Sequence, residues 1–356
     1  MAQDSKSKAE TAPSPDDASK PDNPTEVSKP TWKYTLKKTI REFSKDQCTD
    51  LAAALTYYTV LAIFPALLAM VSILGLVGQA EATTNAMLDL LRQFAPEDAV
   101  KVIQGPIEQL TSSSGAGLAL IVGILGALWS ASGYVKAFGR SMNRIYEIDE
   151  GRPIWKLLPT QLLVTLVMIL LAAALLLMLV ISGPIAEAIG NVIGLGSQAV
   201  TVWNIAKWPV MVLFAVLIIA ILYYATPNVK QPKFRWMSMG SLIALLILAV
   251  ATLGFSFYVG NFGNYNATYG AIGGVIVLLL WIWLANLSLL FGAEFDAEVE
   301  RGRELQAGIQ AEESVQLPPR DTRQTEKRQE QLEEDIEQGR KLRQQHAGKD
   351  YDDDLK

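Results

Sequence analysis

Cysteine and histidine, which supply many metal sites, are almost missing from this chain of 356 residues. Cys48 is the only cysteine, and His346, near the C-terminus, is the only histidine. One cysteine cannot form an intrachain disulfide, and a structural zinc site needs several cysteine or histidine ligands. We therefore expect no metal site of this type, no other metal and no cofactor.

The sequence motifs of common enzyme classes are missing as well. The chain has no Walker loop, no nucleophile elbow and no dinucleotide fingerprint. Its basic residues do not form an aromatic-studded groove, so we expect no nucleic-acid partner. The first residues, MAQDSKSKAE, lack the apolar core of a cleavable signal peptide. These absences argue against an enzyme.

Charge is missing from long segments of the chain. No charged residue lies between Arg235 and Glu294, for example. A helix needs about 20 apolar residues to cross a bilayer core, and these runs do not alternate as β-barrel strands do. The sequence therefore predicts an all-α fold, a polytopic helical membrane protein with six transmembrane helices. The predicted spans are 51–77, 115–135, 157–181, 208–224, 236–259 and 271–292.

The remaining segments differ in composition. Residues 1–30 have little to bury and are predicted to be a disordered tail. Apolar residues recur at helical spacing within 81–114, and 185–202 is apolar but interrupted by glycines, so we expect outer amphipathic helices there. The membrane domain then covers 31–296, and 297–356 form a charged tail.

Lysine and arginine concentrate on one side of the predicted bundle. They occur before the first span, in the loops after the second and fourth spans, and after the sixth. The opposite side has only Arg92 and Lys101, with Lys207 at a span edge. The positive-inside rule therefore predicts cytoplasmic N- and C-termini. The basic helix expected from Trp32 onward either lies on an anionic leaflet or packs under the bundle.

The sixth span carries features that a helix facing only lipid would not need. Asn286 and Ser288 are polar groups at membrane depth, where such groups pair between helices or line a path. Gly270, Gly273 and Gly274 form a small flank suited to close helix packing. We expect an inner helix of the bundle.

The first span contains Tyr57 and Tyr58 near its cytoplasmic third and Pro65 at its centre. Proline removes one backbone donor, so a kink is expected at this position. The kink has two interpretations. It either serves helix packing or is a break in the helix that lines a cavity. The residues alone favour the packing feature.

The second span combines packing glycines with a row of cations. Gly123 and Gly126 provide a small face for another helix. Lys136, Arg140 and Arg144 follow at a spacing of four residues, which puts them on one helical face. Their side chains either extend to the headgroup region without a specific ligand or bind a lipid headgroup.

The sixth span ends in a run of acidic residues that includes Glu294, Asp296 and Glu298. A divalent cation between Glu294 and Glu298 is one interpretation. A solvated, negatively charged helix exit is the commoner arrangement, and it is the one expected here. Pairing of these acids with Lys136 or Arg140 is a third arrangement.

Three stretches of the chain resemble the YihY/BrkB family of bacterial inner-membrane proteins. They are LAAALTYYTVLAIFPALLAMVSILG from Leu51, YGAIGGVIVLLLWIWLANLSLLFGAEFDAEVE from Tyr269, and LPPRD from Leu317. The resemblance covers roughly Trp32 to Asp321 and implies six spans in the inner membrane. Members of the family are associated with envelope integrity and virulence, and a lipid-exporting role has been suggested. Some carry a ribonuclease label, which the residues here do not support, and the family implies no catalytic residue.

Three functions are compatible with these features. The first is a transporter or flippase-like protein for a lipid or amphipathic envelope substrate. The second is an envelope structural or assembly factor, in which the polar groups only join helices. The third, and the poorest fit, is a membrane-bound ribonuclease. The expected partners are membrane lipids, including those with anionic headgroups, and association into a homo-oligomer stays open.

Overall fold

The computed structural model describes residues 8–76, 116–180, 197–232, 239–261 and 271–346. Within these ranges the chain is helical, and its only β-type pairing is an isolated bridge between Val229 and Pro319. The prediction of an all-α fold is therefore confirmed. The helices are α1 Lys29–Lys45, α2 Cys48–Leu76, α3 Ala116–Ile145, α4 Ile154–Val180, α5 Ser197–Ala225, α6 Met239–Asn261, α7 Ala271–Gln306 and α8 Arg323–His346, with a 3-10 turn at Pro24–Glu26.

Four helices in the described part of the chain are long and apolar enough to cross a membrane. The candidate spans are Ile154–Leu175, Val200–Ala225, Met239–Val259 and Gly273–Gln306. They correspond to the third to sixth predicted spans, while α2 and α3 occupy the ranges of the first two. The span count of six stays a prediction, and residues 81–114, where outer helices are predicted, lie outside the described ranges.

Two predicted boundaries need correction. Helix α5 begins at Ser197 rather than at Trp208, because residues 197–202, predicted as part of an outer helix, continue into the span. Helix α7 continues through the predicted boundary at residue 296 and ends at Gln306. Charged residues do not stop this helix, because the surrounding chain buries them. Helix α8 is exposed along most of its length.

The buried core lies toward one end of the bundle, where α2 begins and where α3 and α5 end. We call this the basal end, and it is the side predicted to be cytoplasmic. Helix α2 packs mainly on α3 and α6 on α7, while α7 also contacts α1 and α2. The side chains of Leu55, Phe138, Met142, Leu222 and Leu290 are fully buried there. This core positions the polar residues of α2, α3 and α7 described below.

The closest glycine contact between helices joins α6 and α7. A Cβ at Gly240 would collide with the backbone oxygen of Gly292, and the reverse also holds. The carboxylate of Asp296 accepts the backbone N–H of Gly240 at 2.6 Å and so caps the start of α6. Only glycine at both crossing positions lets the backbones approach this closely.

The glycines predicted to pack against other helices have surroundings different from those of Gly240 and Gly292. Apart from their chain neighbours and the backbone of their own helical turns, no atom of the described residues lies within 4 Å of the position that a Cβ would take at Gly126 or Gly274. Gly273 is buried, and Gly270 lies outside the described residues. The close approach predicted at Gly126 and Gly274 is therefore not found, because the helices come nearest to each other at the basal end instead.

The N-terminal tail is ordered over its described part. The ammonium group of Lys20 lies 3.0 Å from Glu300 Oε1 and 3.4 Å from Glu304 Oε1, and its side chain is fully buried. The prediction of disorder is therefore wrong for residues 8–30. Composition indicated disorder because the tail has few apolar residues, but ion pairs with buried carboxylates of α7 hold it in place.

Helix α1 packs alongside the end of α7 through its polar side. Thr35 and Thr39 are buried, and the hydroxyl of Thr35 donates to the backbone oxygen of Glu298 at 3.3 Å. The apolar residues Leu36 and Ile40 are exposed instead. Of the two roles considered for this helix, the structure supports packing under the bundle. Contact of its outer face with lipid stays a prediction.

Candidate functional site

Two of the three predicted cations on α3 lie beside aromatic rings. The ammonium nitrogen of Lys136 is 4.5 Å from the ring centroid of Trp129, and the guanidinium carbon of Arg140 is 5.9 Å from that of Tyr58. Neither cation has a carboxylate partner among the described residues. Trp129 and Arg140 are exposed. Both positive charges are therefore available to an anionic ligand.

Aromatic residues of α2 extend this surface. The ring of Tyr58 packs close to α3 at Gly133, where a Cβ would lie 3.0 Å from its Cδ1 atom. The rings of Tyr57 and Tyr58 meet edge to face at a centroid distance of 5.4 Å, and Tyr57 is exposed. Pro65 falls inside α2. We call five residues of α2 and α3 the cationic face: Tyr57, Tyr58, Trp129, Lys136 and Arg140.

Arg144, the third predicted cation, is separated from the cationic face. Its Nη2 atom donates to Gln47 Oε1 at 3.2 Å, and its Nε atom lies 3.7 Å from Asp46 Oδ1. Both partners lie in the turn between α1 and α2, where Gln47 adopts a left-handed conformation with φ 55°. Arg144 therefore holds this turn and does not share a ligand with the other two cations.

Asn286 joins three helices at membrane depth. The hydroxyl of Tyr134 on α3 donates to Asn286 Oδ1 at 3.0 Å, and Asn286 Nδ2 lies 3.4 Å from Thr56 Oγ1 on α2. The same amide also donates to a backbone carbonyl one turn earlier in α7. The hydroxyl of Ser288 bonds to a carbonyl of its own helix at 2.8 Å. Both residues are buried, and the contacts of Asn286 with Tyr134 and Thr56 favour hydrogen bonding between helices over a role in lining a substrate path.

The acidic end of α7 is buried, and the prediction of a solvated helix exit is wrong. Glu294 and Glu298 are each 1% exposed. Glu298 Oε1 lies 3.0 Å from Arg301 Nε, and Arg301 also contacts Glu147 at 3.2 Å. Glu294 lies 3.9 Å from the thiol of Cys48. Glu298 therefore pairs with Arg301 at the basal end, and no ion pair among the described residues joins Glu294 or Glu298 to Lys136 or Arg140. The described ranges hold no group of three or more potential ligands in a metal-binding arrangement.

The LPPRD segment at residues 317–321 ties two loops together at the basal end. Pro319 pairs with Val229, and Asn228 Nδ2 donates to the backbone oxygens of Asp149 and Asp321, each at 2.9 Å. Asn228 Oδ1 accepts the N–H of Asp321 in return, at 3.2 Å. Asn228 is fully buried. We call residues 149–151, 226–230 and 318–321 the basal clasp.

Charged residues reinforce the basal clasp at its edge. Arg320 donates to the backbone oxygens of Val229 and Tyr224 at 2.8 and 2.6 Å. Hydrogen bonds from Arg323 and Lys156 hold the pKa of Asp321 well below its ordinary value. In the sequence, LPPRD stands out only as one of the three stretches that carry the family resemblance. The signal that could have identified it as a structural segment is a proline pair followed by oppositely charged residues, outside any apolar run.

The helices and the buried polar contacts between them define a polytopic helical membrane protein. Within that class, the chain belongs to the virulence factor BrkB family, whose sequence profile matches residues 39–316. A comparison of this chain with solved structures finds no match.

Relatives of this chain are bacterial proteins of similar type. A protein of Bacillus subtilis named ribonuclease-like protein YfkH is 30% identical over 270 residues, which are 76% of this chain and 96% of YfkH. A UPF0761 membrane protein of Alkalilimnicola ehrlichii is 32% identical over 71% of this chain, but the match spans 55% of that protein. A UPF0761 membrane protein of Aggregatibacter aphrophilus is 26% identical over 75% of this chain and 92% of its own length.

Proposed function

We propose that this protein moves a lipid or a similar amphipathic envelope substrate across the inner membrane in the manner of a flippase. The observation that carries the proposal is the cationic face. It combines two cations that lack carboxylate partners among the described residues with exposed aromatic rings. Cations attract anionic headgroups, and tryptophan and tyrosine side chains favour the headgroup level.

The spacing of the two cations suits one headgroup. Lys136 and Arg140 are four residues apart on α3, which puts them on the same side of the helix. Each cation near a membrane surface attracts anionic lipid by about 1 kcal/mol. Their position near the basal end, together with the bias of lysine and arginine in the loops, supports a cytoplasmic site of entry and cytoplasmic termini.

Lipid movement in reconstituted liposomes tests this function. Fluorescent phosphatidylglycerol and phosphatidylcholine are incorporated in separate preparations, and quenching from outside measures how fast each changes leaflet. Arg140→Ala should slow the anionic lipid about fivefold, the loss expected for about 1 kcal/mol, and slow the zwitterionic lipid less. Arg343→Ala removes the same charge from the exposed helix α8 and is the matched control. Wild-type protein that moves neither lipid faster than empty liposomes would contradict the proposal.

A second candidate is a structural or assembly factor of the envelope that transports nothing. The hydrogen bonds of Asn286 to Tyr134 and Thr56 favour it, because they account for that polar group without a path. In this case the liposome assay shows no lipid movement, and Arg140→Ala restores the envelope of a deletion strain as well as wild-type protein does.

A further inference from the structure

Helix α8 is fixed to the protein at its start and exposed over the rest of its length. The backbone N–H of Gln324 donates to the backbone oxygen of Gly151 at 2.9 Å, and Thr325 is buried. Every residue from 330 to 346 is exposed. At a rise of 1.5 Å per residue this outer part is about 25 Å long. Its surface is therefore available to another molecule.

The outer part of α8 carries two large apolar side chains on one side. Leu332 and Ile336 are 54% and 52% exposed, and a spacing of four residues puts them on the same face. They continue the line of Thr325 and Gln329, because these positions follow one another at intervals of four, three and four residues. Such intervals are those of the a and d positions of a heptad, with Ile336 at a and Leu332 at d. Isoleucine at a and leucine at d are typical of parallel two-stranded coiled coils.

The charged residues beside these apolar side chains are complementary to those of a second copy of the chain. In the same heptad, Arg328 and Asp335 take position g, while Glu333 and Arg340 take position e. In a parallel pair, each g residue lies beside the e residue five positions later in the other helix. Arg328 then faces Glu333 of the second copy, and Asp335 faces Arg340. Both contacts join opposite charges.

These charges are not used inside the chain. Arg328, Asp335 and Arg340 form no ion pair with any other residue that the structure describes. Glu333 accepts only a hydrogen bond from Gln329 at 3.3 Å within the described ranges. We call six residues the α8 seam: Arg328, Leu332, Glu333, Asp335, Ile336 and Arg340.

The charges also select one orientation of the two helices. An antiparallel pair that brings Leu332 opposite Ile336 would put Asp335 beside Asp335 of the second copy and Glu333 beside Glu333. Like charges at these positions oppose such a pair. Two copies inserted in one membrane with the same topology present α8 on the same side, and a twofold axis along the membrane normal lets the helices run parallel. The orientation that the charges favour is thus the one that the membrane allows.

We propose that α8 joins two copies of this chain in a short parallel coiled coil along the α8 seam. Confinement to one membrane raises the effective concentration of each helix around the other, so two apolar layers with flanking ion pairs are sufficient. No residue of the α8 seam belongs to the cationic face, and this inference does not rest on the proposed lipid movement.

Disulfide cross-linking of the full-length protein in native membranes tests the pairing. In a Cys48→Ala background, Leu332→Cys or Ile336→Cys puts each thiol beside its equivalent in the second copy. Oxidation with copper phenanthroline should convert both proteins to covalent dimers. Glu334→Cys, on the opposite side of α8, is the matched control and should form at least fivefold less dimer.

Charge reversal tests whether the flanking ion pairs set the contact. In the Ile336→Cys protein, Asp335→Arg sets two positive side chains beside each other and should lower cross-linking at least threefold. Addition of Arg340→Asp restores opposite charges and should restore the dimer. Glu334→Arg makes the same change of charge on the opposite side and should have no effect. Thermal unfolding in dilute detergent, where the copies are apart, should match the parent protein for every variant, because the substituted residues are exposed.

Several results would overturn the proposal. Equal cross-linking at positions 332, 334 and 336 would show random collision, and an unchanged dimer yield in Asp335→Arg would exclude the ion pairs. Mixed Leu332→Cys and Ile336→Cys proteins that cross-link only with each other would show an antiparallel pair. If neither thiol forms a dimer, the proposal fails, and shielding of the same thiols by anionic liposomes would then assign this face to a lipid surface.

Discussion

At the scale of single residues, Asn286 shows how α7 keeps a polar group at membrane depth. An unpaired amide costs several kcal/mol in hydrocarbon, and Tyr134 and Thr56 supply partners from α3 and α2. The sequence predicted that Asn286 faces protein or a wet cavity. It could not identify the partners, because Thr56 and Tyr134 are distant in sequence and meet only when three helices pack.

Replacing Asn286 tests whether its amide does more than join helices. Asn286→Leu should lower the free energy of unfolding by about 1 kcal/mol, because the hydroxyl of Tyr134 loses its acceptor. Thermal unfolding in detergent measures the loss, and lipid movement in liposomes should persist. The double variant with Tyr134→Phe should be at least as stable as Asn286→Leu alone, because it also removes the hydroxyl that Asn286→Leu leaves without an acceptor. Lipid movement that falls while stability holds would instead place Asn286 on the substrate path.

Asp46 makes the stability of the basal end depend on pH. Burial raises the pKa of its carboxyl to about 6, while Arg144 acts in the opposite direction and Glu42 adds to the rise. The folded protein therefore binds a proton more tightly than the unfolded chain does. The stabilising effect of protonated Asp46 is complete below the unfolded pKa, near 4, and disappears as pH rises through about 6.

Asp46→Asn should remove this pH dependence. Near neutral pH the variant should be more stable than wild type by on the order of 2 kcal/mol, because it no longer buries a charge. At pH 4.5 the two proteins should unfold at nearly the same temperature. Asp335→Asn on α8 provides the control and should match wild type at both values. An unchanged difference between wild type and Asp46→Asn across this pH range would show that Asp46 does not titrate as described.

At the scale of elements, apolar run length predicted the helices well and their ends poorly. The membrane helices follow from runs that lack charge, but α7 continues through Glu298 and Arg301 because those charges pair with each other. The tail at Lys20 and the clasp at Asn228 are also held by polar contacts between distant segments. Periodicity and composition detect apolar burial, so they cannot reveal segments held by buried ion pairs and backbone hydrogen bonds.

The basal clasp should depend strongly on Asn228. Asn228→Ala leaves the backbone oxygens of Asp149 and Asp321 without their donor, so we expect a loss of roughly 3 kcal/mol in the free energy of unfolding. Thermal unfolding measures the loss, and limited proteolysis should cut near residues 318–323 before it cuts elsewhere. Gln344→Ala, at an exposed site of α8, is the control and should have little effect. If the free energies of unfolding of the two variants differ by less than about 0.5 kcal/mol, the basal clasp does not stabilise the fold.

At the scale of the whole molecule, the predicted membrane topology states on which side of the membrane each loop lies. In a Cys48→Ala background, cysteine introduced at Ser113 or Asn264 should react with an impermeant reagent added to intact cells. Cysteine at Gln231, near the basal end, should not react. The reason is the bias of lysine and arginine toward the loops of the basal end. Labelling at Gln231 from outside would reverse the orientation of the bundle.

The basal clasp also has a consequence for how the chain is made. A ribosome releases the loop around Asn228 well before residues 318–321, which follow the last apolar helix. Asn228 therefore lacks its bonds to Asp321 until α7 has been synthesised. A chain that stops after α7 contains the four candidate membrane helices of the described residues but leaves Asn228 without its bonds to Asp321. Closure of the clasp can therefore occur only after α7 has been synthesised, and a chain truncated before residue 318 keeps an open base.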